Sequence, residues 1–260
     1  MKKLISYSLY GENEFYLSGA IRNAKEKDDY YPDWICRYYV AQDVPRKTIN
    51  LLRLLGSEVI PMTKKYYVDG TFWRFLPMSE DDVEVTLVRD TDSVFTVREV
   101  VAVNDWLKSD KCFHIMRDHP YHRAVIPAGL FGCRRGIVNN IKDMIEKWGY
   151  YNKRGADQEF LKYNIYPIIK NNVMIHTDLV KYEGEDVEPF LCNRIIGEFV
   201  GCHKRVNELS NSEMSHYSNI FSKAKLKTYP MPYSFWQRKR AKLLLELVHW
   251  HRKIKDKLSQ

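Results

Sequence analysis

Two aspartates separated by one residue, Asp90 and Asp92, follow an apolar, β-branched run that begins at Glu84. The run predicts a buried strand that carries both carboxylates at its C-terminal end, where an open α/β sheet holds its ligand site. On an extended chain the two side chains point to the same side, and paired carboxylates suit a divalent cation, Mn²⁺ or Mg²⁺, that carries a phosphate. The spacing therefore predicts a metal–diphosphate site.

The same stretch also suits a purely structural role. Asp-Thr-Asp-Ser, at 90–93, is typical of turns and helix caps. Ser93 or Asp92 would then cap the helix that the apolar spacing predicts over 97–109. The two aspartates by themselves leave both interpretations open.

Strands and helices alternate along the chain, which predicts an α/β fold with one mostly parallel sheet flanked by helices. Strands are predicted at 3–9, 34–40 and 57–61, at the run that ends at 90, and at 113–116 and 173–178. Helices are predicted at 15–25, 46–55, 97–109, 137–148 and 157–170. The segment 67–76 has no clear form, and 182–219 is expected to be irregular structure that covers the site.

Polar residues at predicted strand ends are further candidates for ligand contacts, because such sheets gather ligands at the C-termini of their strands. They are Ser6, Tyr7, Arg117, Asp118 and His176. The segment 128–132, which contains Gly129, predicts a small-residue loop that lets a ligand approach the backbone. These residues are therefore expected to share one site with the aspartate pair.

The composition favours a folded protein with an anionic partner. The chain has 260 residues, 45% hydrophobic and 28% charged, with a net charge of +8. This is ordinary for a globular protein, and the basic balance favours a nucleotide, a phospholipid surface or nucleic acid as partner. Five cysteines without a Cys-x-x-Cys pair predict reduced thiols and a cytoplasmic location, with no zinc ribbon or disulfide framework.

Membrane contact is expected to be peripheral at most, because the N-terminal apolar run is too short for a signal peptide and no stretch is long enough to cross a bilayer. Residues 1–232 are predicted to form one domain and 233–260 a basic amphipathic helix. This helix suits either a position on anionic lipid or packing of its leucine stripe on the domain. Nucleic-acid binding is not expected, because no reading motif accompanies the basic residues.

Four short motifs occur in a recognisable order. They are Asp-Thr-Asp at 90–92, the loop at 128–132, Asp-Gln at 157–158 and Ile-His at 175–176. In this order they resemble the nucleotide-sugar-dependent glycosyltransferases of the GT-A fold that carry an Asp-x-Asp motif. A closer likeness is to bacterial and large-virus members, through Ser-Leu-Tyr-Gly at 8–11, Arg-Asp-x-Asp-Ser at 89–93 and the stretch 114–122. The resemblance spans most of residues 3–180 and implies a GT-A type, Rossmann-like sheet.

The resemblance implies a role for each candidate residue. Asp90 and Asp92 would hold Mn²⁺ or Mg²⁺ against the donor diphosphate, with His176 as the third ligand. Asp157 would face the anomeric carbon, as general base if the reaction inverts and as a stabilising group if it retains. The base and ribose of the donor would contact Ser6, Tyr7 and the turn to Gly11. Arg74 and Arg89 would contact phosphate or ribose, and the Gly129 loop would also contact the donor. The sugar hydroxyls would bind Arg117 and Asp118, which is the second catalytic candidate.

Three of these residues also have simple structural interpretations. His176 would be a strand-end histidine that pairs with a backbone carbonyl, and Asp157 would be the N-cap of the helix that follows it. Arg89 would pair with Asp90 or Glu84. The sequence alone leaves these alternatives open.

The function expected from the resemblance is metal-dependent transfer of a hexosyl or pentosyl group from a nucleoside diphosphate sugar, in the first place a UDP-sugar. The acceptor would be a hydroxyl of a glycan or glycoprotein. A nucleotidyltransferase or pyrophosphorylase is the alternative enzyme. Such an enzyme would need a glycine-rich, basic loop directly after the first strand. The turn after the first strand of this chain has a single glycine, Gly11, and no basic residue follows the strand until Arg22. A non-catalytic protein that binds anionic lipid or nucleic acid is the third possibility.

Overall fold

The computed structural model describes residues 1–63, 69–148 and 154–232. The strands are β1 (Lys2–Leu9), β2 (Ile35–Ala41), β3 (Glu58–Met62), β4 (Val83–Arg89), β5 (Phe113–Arg117), β6 (Leu130–Arg134), β7 (Val173–Thr177), β8 (Val180–Tyr182) and β9 (Lys227–Tyr229). The α-helices are α1 (Glu14–Tyr30), α2 (Arg46–Leu54), α3 (Val97–Lys108), α4 (Ile141–Trp148), α5 (Ala156–Phe160), α6 (Tyr166–Ile169) and α7 (Asn211–Ser222). A π-helical turn, Leu161–Ile165, joins α5 to α6, and 3₁₀ helices span Asp69–Thr71, Trp73–Ser79 and Val206–Glu208.

Seven strands form one sheet in the order β3-β2-β1-β4-β6-β5-β7. Neighbouring strands are parallel except at β6, which runs antiparallel to both β4 and β5. This confirms the predicted α/β architecture, a single Rossmann-like, mostly parallel sheet flanked by helices. Because β1, β4, β5 and β7 share one direction, their C-terminal ends lie along the same edge of the sheet.

Burial on both sides of the sheet explains why helices cover both faces. Successive strand residues point to opposite sides, so each central strand contributes to two cores. On one side, Ile5 and Leu87 pack with α1 and α3, where Trp106 is fully buried. On the other side, Phe113 and Phe131 pack with α4 and α5. Burying one such side chain contributes roughly 1.5–3 kcal/mol, so the two cores together fix the strand order.

Two parts of the fold differ from the sequence expectations. The small-residue loop predicted at 128–132 is wrong in its second part, because β6 begins at Leu130 and pairs with two strands. Helix α7 lies in the stretch expected to be irregular. None of its residues is buried, so its apolar periodicity is weak, but the capping box of Ser210 and Glu213 marks its start.

Two further expectations concern the ends of the chain. The predicted basic helix within 233–260, and with it the expected peripheral membrane contact, lies outside the described residues. No helix within the described ranges combines the length and the apolar character that crossing a bilayer requires.

The contact between α1 and the loop after β4 positions the aspartate pair. A side chain at Gly19 would lie 3.0 Å from the Cα of Asp92 and closer still to the carbonyl oxygen of Thr91, so only glycine permits this approach. Asn23, one turn further along α1, donates to that carbonyl oxygen at 3.0 Å. Helix α1 therefore holds the Asp-x-Asp loop through backbone contacts.

This contact makes a prediction whose sign opposes helix propensity. Alanine is favoured over glycine inside a helix by about 1 kcal/mol, yet Gly19→Ala forces α1 away from Thr91, and we expect a net loss of about 1–3 kcal/mol in the free energy of unfolding. Urea denaturation measures it, with Ser18→Ala on the exposed side of α1 as the matched control. A Gly19→Ala protein more stable than wild type contradicts the contact.

Candidate functional site

Asp90 and Asp92 follow β4 directly and lie close together at the edge of the sheet. The side chain of Asp90 is 46% exposed and that of Asp92 is 12% exposed. Burial raises the pKa of Asp92, and the negative charge of Asp90 raises it further. Ionisation of Asp92 is therefore disfavoured in the folded protein unless a cation lies beside it.

Gly129 packs directly against Asp90. A Cβ at position 129 would overlap the carboxyl group of Asp90 and lie 2.9 Å from its backbone nitrogen. The absence of a side chain at Gly129 therefore lets β6 run beside β4 while the Asp90 carboxylate stays accessible. Gly129 was expected to permit a ligand to approach the backbone, and the group it admits in the structure is Asp90.

His203 is the functional candidate that sequence reasoning missed. Its Nδ1 lies 3.2 Å from Oδ2 of Asp92, and its side chain is 53% exposed. The loop that carries it is tied to the loop after β4, because the nitrogen of Val94 donates to the carbonyl oxygen of Cys202 at 2.9 Å. The sequence near His203 offers one local signal of a turn, which is Gly201. In the structure the φ of Gly201 is +90°, in the left-handed region that favours glycine.

Arg74 joins two of the predicted acidic residues. Its guanidinium forms ion pairs with Asp90 and with Asp157, the latter at 2.9 Å from Nη2 to Oδ2. Burial opposes the charge on Arg74, but the two carboxylates outweigh this effect and raise its pKa. Its backbone nitrogen donates to the hydroxyl of Ser8 at 3.0 Å, which fixes the 3₁₀ helix against the end of β1. The structure thus brings Arg74, Asp90 and Asp157 together.

Asp157 lies in the first turn of α5 but does not cap it. The N-cap position is taken by Gly155, and the carboxylate of Asp157 accepts from the backbone nitrogen of Gln158 at 2.9 Å. Its other oxygen faces Arg74. The N-cap alternative is therefore excluded, and Asp157 belongs to the same charged cluster as Asp90.

The prediction that His176 is the third metal ligand is wrong. Its ring is buried, with Nδ1 2.8 Å from Nε2 of His114 and Nε2 3.3 Å from Oδ2 of Asp105. It lies on β7, which is three strand spacings, about 14 Å, from β4 in the sheet order. The structural alternative is also incorrect in detail, because its partners are side chains rather than a backbone carbonyl.

Asp118 has a structural role rather than the predicted catalytic one. Its side chain is fully buried and pairs with Arg98, at 2.9 and 3.1 Å, and with Arg194. It also accepts from the backbone nitrogen of Val200 at 3.0 Å. Because its side chain is fully closed to solvent, Asp118 is unavailable to a substrate, and it holds the chain three residues before His203.

Arg117 does not contact a donor sugar either. It is fully buried and forms a bidentate pair with Glu185, at 2.7 and 2.8 Å. The guanidinium also donates to the carbonyl oxygen of Val125 and lies 5.0 Å from the ring centre of Tyr182. Arg117 therefore fastens β5 to the segment after β8.

Most of the other residues predicted to contact the donor are buried inside the protein. Arg89 is buried and pairs with Glu99, not with Asp90 or Glu84, so its predicted phosphate or ribose contact is wrong. The side chains of Ser6 and Tyr7 are also fully buried, and Tyr7 stacks on Tyr38 at 4.8 Å, so neither can reach a base or ribose. Gly11, in the turn after β1, remains a candidate, and its nitrogen donates to Asp43 at 2.9 Å.

Comparison with known proteins leaves the family open. No model of a known protein family matches the chain, and no curated protein matches its sequence. Among solved structures, galactosyltransferase LgtC in complex with donor and acceptor sugar analogs has a TM-score of 0.43 at 13% identity, over 70% of this chain and 76% of that one. An active-site mutant of LgtC has a TM-score of 0.42 at 12% identity, over 70% and 75%.

A third similar structure is an enzyme of another kind. The 4-diphosphocytidyl-2C-methyl-D-erythritol synthase from Anaerococcus prevotii has a TM-score of 0.43 at 10% identity, over 85% of this chain and 99% of that one. At these scores the similarities establish neither a family nor an activity for this chain. The argument about function therefore rests on the side chains at the edge of the sheet.

The reassignment of Arg117 predicts a loss of stability on its removal. Arg117→Met leaves Glu185 buried without its cation, and we expect the free energy of unfolding to fall by about 3–5 kcal/mol. The double variant with Glu185→Met should be less destabilised than the single one, because no buried charge remains unpaired. Urea denaturation tests both, with the exposed Arg123→Met as control. An Arg117→Met protein of wild-type stability contradicts the structural role.

The raised pKa of Asp92 predicts how stability depends on pH without a metal ion. Ionising Asp92 costs the folded state free energy, so this penalty is absent below about pH 3.9, the ordinary carboxyl value, and complete above the raised folded-state pKa. Asp92→Asn should therefore melt at a higher temperature than wild type at pH 7 in EDTA, and the difference should vanish in acid. The exposed Asp186→Asn serves as control; a lower midpoint for Asp92→Asn at pH 7 refutes the electrostatic account.

Proposed function

We propose that this protein is a metal-dependent glycosyltransferase that moves a sugar from a nucleoside diphosphate sugar to a hydroxyl of a glycan or glycoconjugate. The observation that carries the proposal is the meeting of Asp90, Asp92 and Asp157 with Arg74 and His203 at the C-terminal edge of the sheet. Carboxylates for a cation and a further carboxylate beside an arginine are the groups that glycosyl transfer from a diphosphate needs. The motif resemblance of residues 3–180 adds support.

The residues at this edge fit a divalent cation in their chemistry. Asp90 and Asp92 repel each other, and an imidazole beside carboxylates suits Mn²⁺ better than Ca²⁺. Within the described ranges, no three His, Cys, Asp or Glu side chains are already grouped as a metal site. Asp90 is paired with Arg74 instead, so binding through Asp90, Asp92 and His203 would involve rotation of side chains towards the ion.

When bound, the cation would supply Lewis-acid neutralisation of the charge that grows on the nucleoside diphosphate as it leaves. The residues of the chain would act on the sugar. In an inverting reaction the bond from the anomeric carbon to phosphate breaks, the bond to the acceptor oxygen forms, and Asp157 takes the acceptor proton. In a retaining reaction Asp157 would stabilise positive charge on the sugar. In both cases Arg74 fixes the orientation of the Asp157 carboxylate.

UDP is the nucleotide that we expect. Because Ser6 and Tyr7 are buried, contacts with base and ribose would come from the turn that follows β1, at Tyr10 and Gly11. Tyr10 is 38% exposed, and its ring packs edge-on against Trp73, next to Arg74. An aromatic face at this place suits a planar base.

Turnover without an acceptor tests the proposed function. Purified protein is incubated with UDP-glucose, UDP-galactose, UDP-xylose, GDP-mannose or TDP-glucose, with Mn²⁺ or with EDTA. We expect metal-dependent release of free sugar and nucleoside diphosphate from one of these donors. Release of pyrophosphate from a nucleoside triphosphate and a sugar phosphate would identify a nucleotidyltransferase, and no turnover of any donor would favour a non-catalytic binding protein.

Substitutions at the cation site sharpen this test. Asp92→Asn and His203→Ala should each lower the metal-dependent rate at least about 100-fold, because several kcal/mol of charge stabilisation are lost with the cation. His216→Ala, which removes an exposed histidine of α7, is the matched control and should keep the wild-type rate. Wild-type rates in both site variants would contradict the assignment of the cation site.

A further inference from the structure

The segment after β5 holds a histidine in one chemical form. Nδ1 of His122 accepts from the backbone nitrogen of Asp118 at 3.2 Å. A backbone N–H can only donate, so Nδ1 must carry a lone pair, and the neutral imidazole of His122 has its proton on Nε2. The hydrogen bond therefore makes the other ring nitrogen a donor.

The structure around His122 keeps this form in place. Asp118 is immobilised through its carboxylate by Arg98 and Arg194, and the imidazole packs against Phe199, with 5.9 Å between ring centroids. Burial lowers the pKa of His122 to about 3. In a protonated ring, the hydrogen on Nδ1 would point at the backbone N–H of Asp118 and be repelled by it. The hydrogen-bond geometry and the burial therefore both favour the neutral imidazole.

His122 lies beside the segment that leads to His203, because its ring packs on Phe199, four residues before His203. Asp90 and His203 are both close enough for their charges to affect the imidazole. His122 is partly exposed as a residue, and no hydrogen bond of its Nε2 is found among the residues that the structure describes. A fixed N–H donor therefore lies near the segment that carries His203.

We propose that Nε2–H of His122 donates a hydrogen bond to a hydroxyl oxygen of the donor sugar and thereby helps to select that sugar. The inference rests on the proposed glycosyltransferase function. A hydroxyl both accepts and donates, so it can accept a hydrogen bond from Nε2–H of His122 and donate one to a carboxylate. A phosphate oxygen only accepts, and a charged donor would serve it better than a neutral imidazole.

The first test reads the ring directly, and its measurement on the free protein needs no activity. NMR of protein labelled with ¹⁵N-histidine, assigned with His122→Gln, should show a protonated Nε2 and a bare Nδ1 at pH 7. Addition of UDP-glucose or UDP-galactose with Mg²⁺, whichever the protein hydrolyses, should shift the Nε2 resonance, whereas UDP with Mg²⁺ should not. A bare Nε2 overturns the proposal, and an equal shift with UDP alone assigns the contact to phosphate instead.

The second test separates selection of the sugar from structural support. His122→Ala should raise KM for the donor about 10-fold, the order expected for one lost hydrogen bond, and leave the affinity for UDP unchanged. Wild type should discriminate against one of the 2-, 3-, 4- and 6-deoxy donors, and this discrimination should disappear in His122→Ala. His122→Gln, which retains a donor, should restore part of it.

Controls distinguish failure of this inference from failure of the proposed function. His216→Ala should keep both KM and the discrimination among deoxy donors. If no nucleotide sugar is hydrolysed, the proposed function fails while the protonation of Nε2 remains measurable. If a donor is hydrolysed and His122→Ala discriminates among deoxy donors as wild type does, the inference about His122 is wrong and the function stands.

Discussion

The structure depends on how negative charge is balanced at the end of β4. Asp90 and Asp157 both pair with Arg74 there, and burial together with the charge of Asp90 raises the pKa of Asp92. Arg74 supplies one positive charge, shared between Asp90 and Asp157. Among the described residues, the imidazole of His203 is the group that pairs with Asp92, so this part of the cluster is where a divalent cation gains most.

The other buried charges keep the edge of the sheet in shape. The pairs Arg89–Glu99, Arg98–Asp118 and Arg117–Glu185 each join a strand end or loop to another element and are nearly or fully closed to solvent. A buried pair costs desolvation but becomes strongly destabilising when one partner is removed, so such pairs fix a unique arrangement of loops. At this edge of the sheet, the fully buried arginines and carboxylates stabilise the fold. The partly exposed carboxylates remain accessible to a ligand.

Sequence reasoning found the parts of the site that follow from local patterns. Asp90 and Asp92 follow a clear strand, Asp157 opens a helix and Gly129 adjoins a buried strand, and the structure brings these residues together. The resemblance assigned the third ligand position to His176, and His203 was not considered, because strand order cannot be read from a sequence. Because β6 and β5 lie between β4 and β7 in the sheet, His176 on β7 is remote from Asp92. His203 lies beside Asp92 instead, on a loop with weak periodicity. Asp118, Arg117 and Arg89 show the same limit, since their partners are remote in sequence.

The central claim, that Asp92 and His203 bind one cation, is tested most directly by pulsed electron paramagnetic resonance of bound Mn²⁺. The account predicts modulation from a directly coordinated histidine nitrogen in wild type and in His216→Ala, its loss in His203→Ala, and much weaker Mn²⁺ binding in Asp92→Asn. Histidine modulation that persists in His203→Ala, or Mn²⁺ binding that is unchanged in Asp92→Asn, would contradict the account.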